Sequence, residues 1–164
     1  MIAQGQTLPN ATLSQLTKEG MVHHPVLELF AGKKVVLFAV PGAFTPTDSE
    51  AHLPGYIVLA DQLKAKGVDL IASVSVNDAF VMKAWGEAQN AEEILMLADG
   101  DASFTKALGL EMDTAGFGGL RSQRYAMIID NGVVTTLNVE APKSFEVSNA
   151  ETILAALEHH HHHH

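Results

Sequence analysis

The chain has 164 residues, of which 47% are hydrophobic and 18% charged, and its formal net charge is −9. This composition is typical of one globular domain with a sizeable core and excludes an intrinsically disordered chain. Ten basic residues against 19 acidic ones also argue against a nucleic-acid-binding surface, which needs clustered Lys and Arg.

No apolar run approaches the roughly 20 residues that a membrane-spanning helix needs, and the N-terminus has no signal-peptide pattern. We therefore expect a soluble, cytoplasmic protein that contacts no membrane. We interpret residues 1–157 as one domain and residues 158–164, which end in six histidines, as a tag-derived tail. The chain has no cysteine, so disulfides and thiolate metal sites are excluded.

Strand and helix patterns alternate through the first two thirds of the chain. Short apolar runs predict strands at 33–40, 68–76 and 93–99. Apolar residues at helical spacing predict one helix from Leu53 to Gly67, and a second helix through 81–88 after a capping-type Asn77-Asp78.

The last third of the chain predicts a hairpin and a closing helix. Two strand-like runs in 124–139 flank Asn131-Gly132, which is a strong hairpin-turn signal. The last helix is predicted from Ser148, where Ser148 and Glu151 have capping-box spacing, to Leu157. Together the elements predict an α/β sandwich, with a mixed central β-sheet flanked by helices in a thioredoxin-like layout.

The stretch 40–56, VPGAFTPTDSEAHLPGY, carries the functional signal. Thr47 and Glu50 have the spacing of a capping box, which places Asp48 in the first turn of a helix. The helix dipole stabilises an anion there by roughly 0.3–1 kcal/mol, and the same field lowers the pKa of a cysteine. Taken alone, Asp48 is an ordinary first-turn acid. Pro54 lies inside the predicted helix and should kink it.

The segments PGAFTPTDS, HLPGY, VNDAF and GFGGLRSQRYAMIIDNGVV resemble a peroxiredoxin of the atypical type-5 subfamily, from about residue 3 to residue 157. The core motif P-x-x-x-T-x-x-C is matched by Pro41, Thr45 and position 48, where Asp48 stands in place of the cysteine. The resemblance implies a thioredoxin-like fold and a thiol-dependent peroxidase that reduces hydrogen peroxide and alkyl hydroperoxides through a sulfenic acid.

The resemblance also implies a role for each matched residue. Pro41 would shield the nucleophile from water, Thr45 would hydrogen-bond the peroxide oxygens, and the guanidinium of Arg124 would hold both thiolate and peroxide. Arg121 competes with Arg124 for this role, but we expect Arg121 to lie on the surface. We interpret His52, one turn beyond position 48, as structural.

A carboxylate cannot form a sulfenic acid, so peroxidase turnover through Asp48 is excluded. We hypothesise that Asp48 is an engineered replacement in a one-cysteine peroxiredoxin, and that it imitates a thiolate or a sulfinate. Such an enzyme would use an external thiol, namely glutathione, glutaredoxin or thioredoxin, and no cofactor or metal. The alternative is a natural non-catalytic binding or oligomerisation module with an Asp48–Arg124 pair.

The resemblance further implies a homodimer, with a contact formed by aromatic and proline side chains beside the active-site loops: Phe44, Pro46, Phe80 and Phe117.

Three other motifs do not predict a binding site. The segment 99–103 lacks the glycine turn and the final acid of a calcium loop. His23-His24 lack further zinc ligands, and GFGG, 116–119, is interpreted as a flexible loop.

Overall fold

The computed structural model describes residues 1–161 and, within them, contains nine strands, five α-helices and a π-helical segment. The strands are β1 (Thr12–Thr17), β2 (Gly20–Pro25), β3 (Lys34–Ala39), β4 (Leu70–Ser75), β5 (Leu95–Ala98), β6 (Glu111–Asp113), β7 (Leu120–Ser122), β8 (Tyr125–Asp130) and β9 (Val133–Val139). The helices are α1 (Val26–Leu29), α2 (Leu53–Ala65), α3 (Ala79–Ala88), α4 (Ser103–Leu108) and α5 (Ala150–His161), and the π-helical segment is Asp48–His52.

Seven strands form one mixed sheet in the order β2-β1-β5-β4-β3-β8-β9, and β6 and β7 form a separate pair. The pairs β3–β4 and β4–β5 are parallel, whereas β3–β8, β8–β9, β1–β2 and β1–β5 are antiparallel. The predicted mixed sheet flanked by helices is confirmed, and with it the thioredoxin-like fold class.

The core lies in two clusters, one on each face of the sheet. In β3, Phe38 packs with α2, α3 and α5 on one face, and Leu37 packs with α1 and α4 on the other. Side chains alternate between faces along a strand, and both faces of β3 are covered, which is why its sequence is an uninterrupted apolar run.

The hairpin predicted at Asn131-Gly132 is confirmed, and it joins β8 to β9. Both turn residues have positive φ, 48° and 82°, as a type I′ turn requires. The hairpin β1–β2 was not predicted, because its strands carry polar residues on the sheet edge and β2 is largely exposed. No described helix is long and apolar enough to cross a membrane.

The predicted capping boxes are wrong. The first helical turn already includes Pro46, and Thr47 makes no side-chain capping bond. The N–H of Ser49 donates to the Thr45 carbonyl at 2.9 Å, so the helix begins at Pro46, two residues earlier than the expected start at Asp48, and the fixed φ of Pro46 suits this first position.

The closing helix α5, by contrast, begins later than predicted. Asn149 caps it, because its Oδ1 accepts the Thr152 N–H at 2.8 Å. The Ser148 hydroxyl instead donates to Glu140.

Just before Pro54, the chain is π-helical over residues 48–52, and α2 follows. Since proline lacks an N–H, the regular i→i−4 pattern cannot continue through it, and the local irregularity expected at Pro54 takes this π-helical form.

Candidate active site

Asp48 lies at the start of the π-helical segment and is completely buried. Its Oδ1 forms an ion pair with Nη1 of Arg124. Its Oδ2 accepts the Gly42 N–H at 3.2 Å and the Thr45 hydroxyl at 2.5 Å. The carboxylate at position 48 is therefore surrounded by one cation and two neutral donors, an environment that stabilises an anion.

The Thr45 hydroxyl lies between two acceptors. Its Oγ1 is 2.5 Å from Oδ2 of Asp48 and 2.7 Å from the carbonyl oxygen of Gly42. A hydroxyl has one proton, so only one of these bonds can form at a time. Thr45 can thus donate to the group at position 48 or turn the proton back to the loop.

Strand pairing brings Arg124 to position 48. The antiparallel register of β3 and β8 places Ala39 opposite Tyr125, so Arg124, directly before β8, lies level with the end of β3, where the chain enters the loop that starts at Pro41. The Arg124 side chain is 13% exposed, and its guanidinium lies 5.7 Å from the ring centroid of Phe145, within the range of a cation–π contact.

His52 contacts the other side of the arginine. Nη1 of Arg124 donates to Nδ1 of His52 at 2.9 Å, and Nε2 of His52 lies 3.1 Å from the carbonyl oxygen of Ser148. Burial, and secondly the charge of Arg124, lower the pKa of His52 from 6.5 to about 3. The imidazole is therefore neutral, with its proton on Nε2, since Nδ1 must accept from Arg124.

Glu140 holds the segment that carries the Ser148 carbonyl. Its carboxylate accepts the backbone N–H groups of residues 146, 147 and 148 and the Ser148 hydroxyl, at 2.7–2.9 Å. Burial raises the pKa of Glu140, but these hydrogen bonds outweigh burial and hold the pKa below its usual value. The Tyr56 hydroxyl donates to the same Ser148 carbonyl at 2.7 Å.

A cleft of about 630 Å³ opens beside Arg124. Pro41, Thr47, Pro142 and Phe145 line it together with Arg124. Asp48 itself has no exposed surface, so the cleft gives access to the guanidinium rather than to the carboxylate.

The predicted site residues Asp48, Thr45 and Arg124 are brought into direct contact, and Pro41 lies in the cleft wall beside Arg124. Their catalytic roles stay predictions. The expectation that Arg121 lies on the surface is wrong: it is half-buried, and its Nη1 donates to the carbonyl oxygen of Pro41 at 2.9 Å. Arg121 lies on β7, opposite Met112 of β6.

Several residues that support the site were not predicted. Glu140, Phe145 and Ser148 lie between β9 and α5. No local sequence pattern connects them to position 48. His52 was interpreted as structural, but it touches Arg124 directly. Its fixed spacing from position 48, one helical turn along the same face, is the one signal that could have indicated this contact.

The remaining candidate motifs lie away from the site. His23 and His24 are on β2, where they bond Ser14 and Gln15 respectively. Asp99 is buried and accepts hydrogen bonds from the start of α4. Among the described residues there is no group of three or more His, Cys, Asp or Glu that could hold a metal ion.

Comparisons with known proteins identify the family of this chain. A family model described as Redoxin matches residues 3–154. Peroxiredoxin-2C of Oryza sativa subsp. japonica is 52% identical over 95% of this chain and 98% of its own. The chloroplastic peroxiredoxin-2E-2 of the same plant is 53% identical over 95% of this chain and 72% of its own.

Solved structures are more similar still. A crystal structure of reduced Prx3 from Vibrio vulnificus in complex with H₂O₂ is 98% identical, covers 99% of this chain and 100% of its own, and has a TM-score of 0.97. Oxidized Prx3 from the same organism is 99% identical over 95% of this chain and 99% of its own, with a TM-score of 0.90.

Proposed function

The chain belongs to the redoxin family and is a peroxiredoxin, and from that premise we propose that position 48 is the site of a peroxidatic cysteine that Asp48 replaces. The observation that carries the proposal is the buried Asp48 carboxylate, held by Arg124, Thr45 and the Gly42 N–H. The function of the family is thiol-dependent reduction of peroxides. Without a sulfur at position 48, this chain should be inactive.

The reaction proposed for the cysteine form begins with attack of the thiolate on one oxygen of a hydroperoxide. The S–O bond forms, the O–O bond breaks, and the leaving alkoxide or hydroxide takes a proton and departs as alcohol or water. Sulfur is oxidised to a sulfenic acid, and the peroxide is reduced. One external thiol then displaces water to give a mixed disulfide. A second external thiol attacks this disulfide, so that the two external thiols leave joined by a disulfide and the cysteine returns as a thiol.

The residues around position 48 suit this step. Arg124 can stabilise the thiolate and the negative charge that develops on the leaving oxygen, because it is fixed by His52 before substrate arrives. The Thr45 proton can turn from the Gly42 carbonyl towards the substrate. The cleft lets a hydroperoxide reach the Arg124 guanidinium, which directly contacts the group at position 48.

The high identity to a chain crystallised in reduced and oxidized forms supports an engineered Asp48 over a natural non-catalytic module. Asp48 carries the negative charge of a thiolate and, with two oxygens, the approximate shape of a sulfinate. A natural binding or oligomerisation module would have the same Asp48–Arg124 pair, so activity of a cysteine variant distinguishes the two.

The test is Asp48→Cys, assayed for hydrogen peroxide and alkyl hydroperoxide consumption with dithiothreitol as the thiol. We expect rapid consumption by Asp48→Cys and none above free thiol by the chain itself. Asp48→Ser is the matched control, because it offers a hydroxyl of similar size without sulfur. A folded Asp48→Cys protein as inert as Asp48→Ser would contradict the proposal and favour the binding module.

The reductant is proposed to be an external thiol, since the chain has no second cysteine that could resolve a sulfenic acid. Glutathione, glutathione with glutaredoxin, and thioredoxin should be compared as electron donors to Asp48→Cys. Activity with none of these three would contradict the proposed partners. A cytoplasmic location stays a prediction.

A homodimer is proposed through the contact expected at Phe44, Pro46, Phe80 and Phe117, of which Phe80 lies in the first turn of α3. Phe44, Phe80 and Phe117 are 54%, 64% and 85% exposed, and exposed aromatic side chains are the usual anchors of protein–protein contacts. Phe80→Asp should shift the protein to monomers in sedimentation experiments. Val58→Asp is the matched control, because Val58 is 75% exposed on α2. Equal oligomeric states for both variants would contradict this contact.

A further inference from the structure

We propose that Arg121 is a positioning residue, which fixes the Pro41–Gly42 peptide group so that its N–H points at position 48. Nη1 of Arg121 donates to the carbonyl oxygen of Pro41 at 2.9 Å. The N–H of Gly42 donates to Oδ2 of Asp48 at 3.2 Å. The carbonyl and the N–H belong to one peptide unit, and Arg121 and Asp48 bind its two ends.

The planarity of that unit transmits the position of Arg121 to Asp48. In a trans peptide the C=O and N–H bonds lie in one plane and point in opposite directions. Holding the Pro41 oxygen on one side therefore orients the Gly42 proton on the other. The positive charge of Arg121 also polarises the carbonyl, and chained hydrogen bonds of this kind strengthen one another. Arg121 thus acts on position 48 without touching it.

Two glycines make room for the Arg121 guanidinium. A Cβ added at Gly42 would lie 2.3 Å from its Nη1, and a Cβ added at Gly118 would lie 2.3 Å from its Nε and 2.6 Å from its Nη2. All three distances are far shorter than a van der Waals contact. The guanidinium therefore fits between the backbones of Gly42 and Gly118 only because neither glycine has a side chain.

The GFGG segment, 116–119, has a structural role, because Gly118 lies against the Arg121 guanidinium. The loop is closed at its base, where the Thr114 N–H donates to the Gly119 carbonyl at 2.8 Å and the Gly119 N–H donates to the Ala115 carbonyl at 2.9 Å. The ring of Phe117 lies 5.9 Å from the guanidinium carbon of Arg121. The loop therefore forms one wall of the arginine site, and the Pro41–Gly42 turn forms the other.

The turn needs such support because its backbone is strained. Phe44 has a φ of 65°, an uncommon conformation for a residue with a bulky side chain. Besides Arg121, the turn is held by Asn77, whose Oδ1 accepts the Ala43 N–H at 3.0 Å. Losing the Arg121 bond would remove the hydrogen bond that holds the Pro41 carbonyl, so the Pro41–Gly42 peptide could tilt away from position 48.

The geometric claim is tested on the Asp48 protein itself, by NMR of the Gly42 amide. Gly118→Ala displaces the guanidinium without removing its charge, and Arg121→Gln removes it. In both variants we expect the Gly42 amide proton to shift upfield and to exchange about tenfold faster, because its hydrogen bond to Oδ2 of Asp48 is weakened.

Gly116→Ala is the matched control, because a Cβ there meets nothing within 4 Å in the same loop. It should leave the Gly42 amide unchanged. Arg121→Lys keeps the charge and provides a second replacement should one variant fold poorly, with circular dichroism as the check of folding. An unchanged Gly42 amide in folded Gly118→Ala and Arg121→Gln proteins would overturn the proposal.

The consequence for catalysis rests on the proposed function and is tested in the Asp48→Cys background. Adding Gly118→Ala should lower the second-order rate constant for peroxide about tenfold and raise the pKa of the introduced thiol by about one unit, because a donor to the thiolate is lost. Adding Gly116→Ala should change neither. An inert Asp48→Cys single variant would contradict the proposed function, whereas an active one that Gly118→Ala leaves unchanged would contradict the role of Arg121.

Discussion

Removing one partner of the Asp48–Arg124 ion pair should destabilise the fold strongly. The Asp48 side chain is completely buried and that of Arg124 is only 13% exposed, so water screens the pair little. Arg124→Leu would leave a buried carboxylate without its cation, and breaking a buried pair in this way costs about 3–5 kcal/mol. A domain of this size unfolds with roughly 5–15 kcal/mol, so the variant should lose a large part of its stability.

Urea unfolding can follow this loss through the single tryptophan, Trp85. It is buried, and its Nε1 donates to the Ser49 hydroxyl at 3.0 Å, so its fluorescence reports directly on the segment that contains Asp48. A double-mutant cycle with Asp48→Asn and Arg124→Leu should give a coupling energy of about 2 kcal/mol or more.

The exposed pair Lys83–Glu87 on α3 provides the comparison, because a surface i,i+4 pair contributes about 0.3–0.5 kcal/mol. If the coupling between Asp48 and Arg124 is no larger than the coupling between Lys83 and Glu87, the carboxylate is not held as the structure shows.

Three further predictions concern buried groups. The pKa of His52 is lowered from 6.5 to about 3, so between these values the unfolded chain binds a proton that the folded chain does not; stability should fall by about 2 kcal/mol as pH drops from 6.5 to about 5. In urea titrations His52→Gln should lose this dependence and His23→Gln should keep it, and equal pH dependence in the two variants would exclude His52 as its source. Glu140→Ala should speed hydrogen–deuterium exchange of amides 146–148, because their common acceptor is removed; unchanged protection would show that the segment is held by other contacts. The Ser73 hydroxyl is buried without a hydrogen-bond partner, so Ser73→Ala should raise the free energy of unfolding by about 1 kcal/mol, and a decrease in urea unfolding would contradict this.

The fold was largely predictable because its central strands are unambiguous. The runs at 33–40, 68–76 and 93–99 are apolar on both faces, and the helices between them follow helical spacing. The register of β3 and β8 was not predictable, because it depends on pairing between segments 90 residues apart in sequence. That register is what places Arg124 beside position 48.

Residues of the site that belong to a sequence motif could be predicted. Residues that reach the site through tertiary packing could not. Position 48, Thr45 and Arg124 follow from the resemblance to the family. The contact of Arg121 with the Pro41 carbonyl could not be read from the chain, because it depends on Gly42 and Gly118 approaching each other in space. The capping box predicted at Ser148 was wrong for a similar reason: the Ser148 hydroxyl donates to Glu140, a contact that no local pattern indicates.

The pKa of the thiol in Asp48→Cys measures most directly whether the surroundings of position 48 are built for an anionic sulfur. Thiolate absorbance in the ultraviolet, followed against pH, gives this value in the folded protein, and the chain itself provides the blank because it has no cysteine. Arg124, Thr45 and the Gly42 N–H should outweigh burial and place the pKa at least two units below the value of about 8.5 for a free cysteine. A pKa at or above that value would show that this site does not stabilise a thiolate.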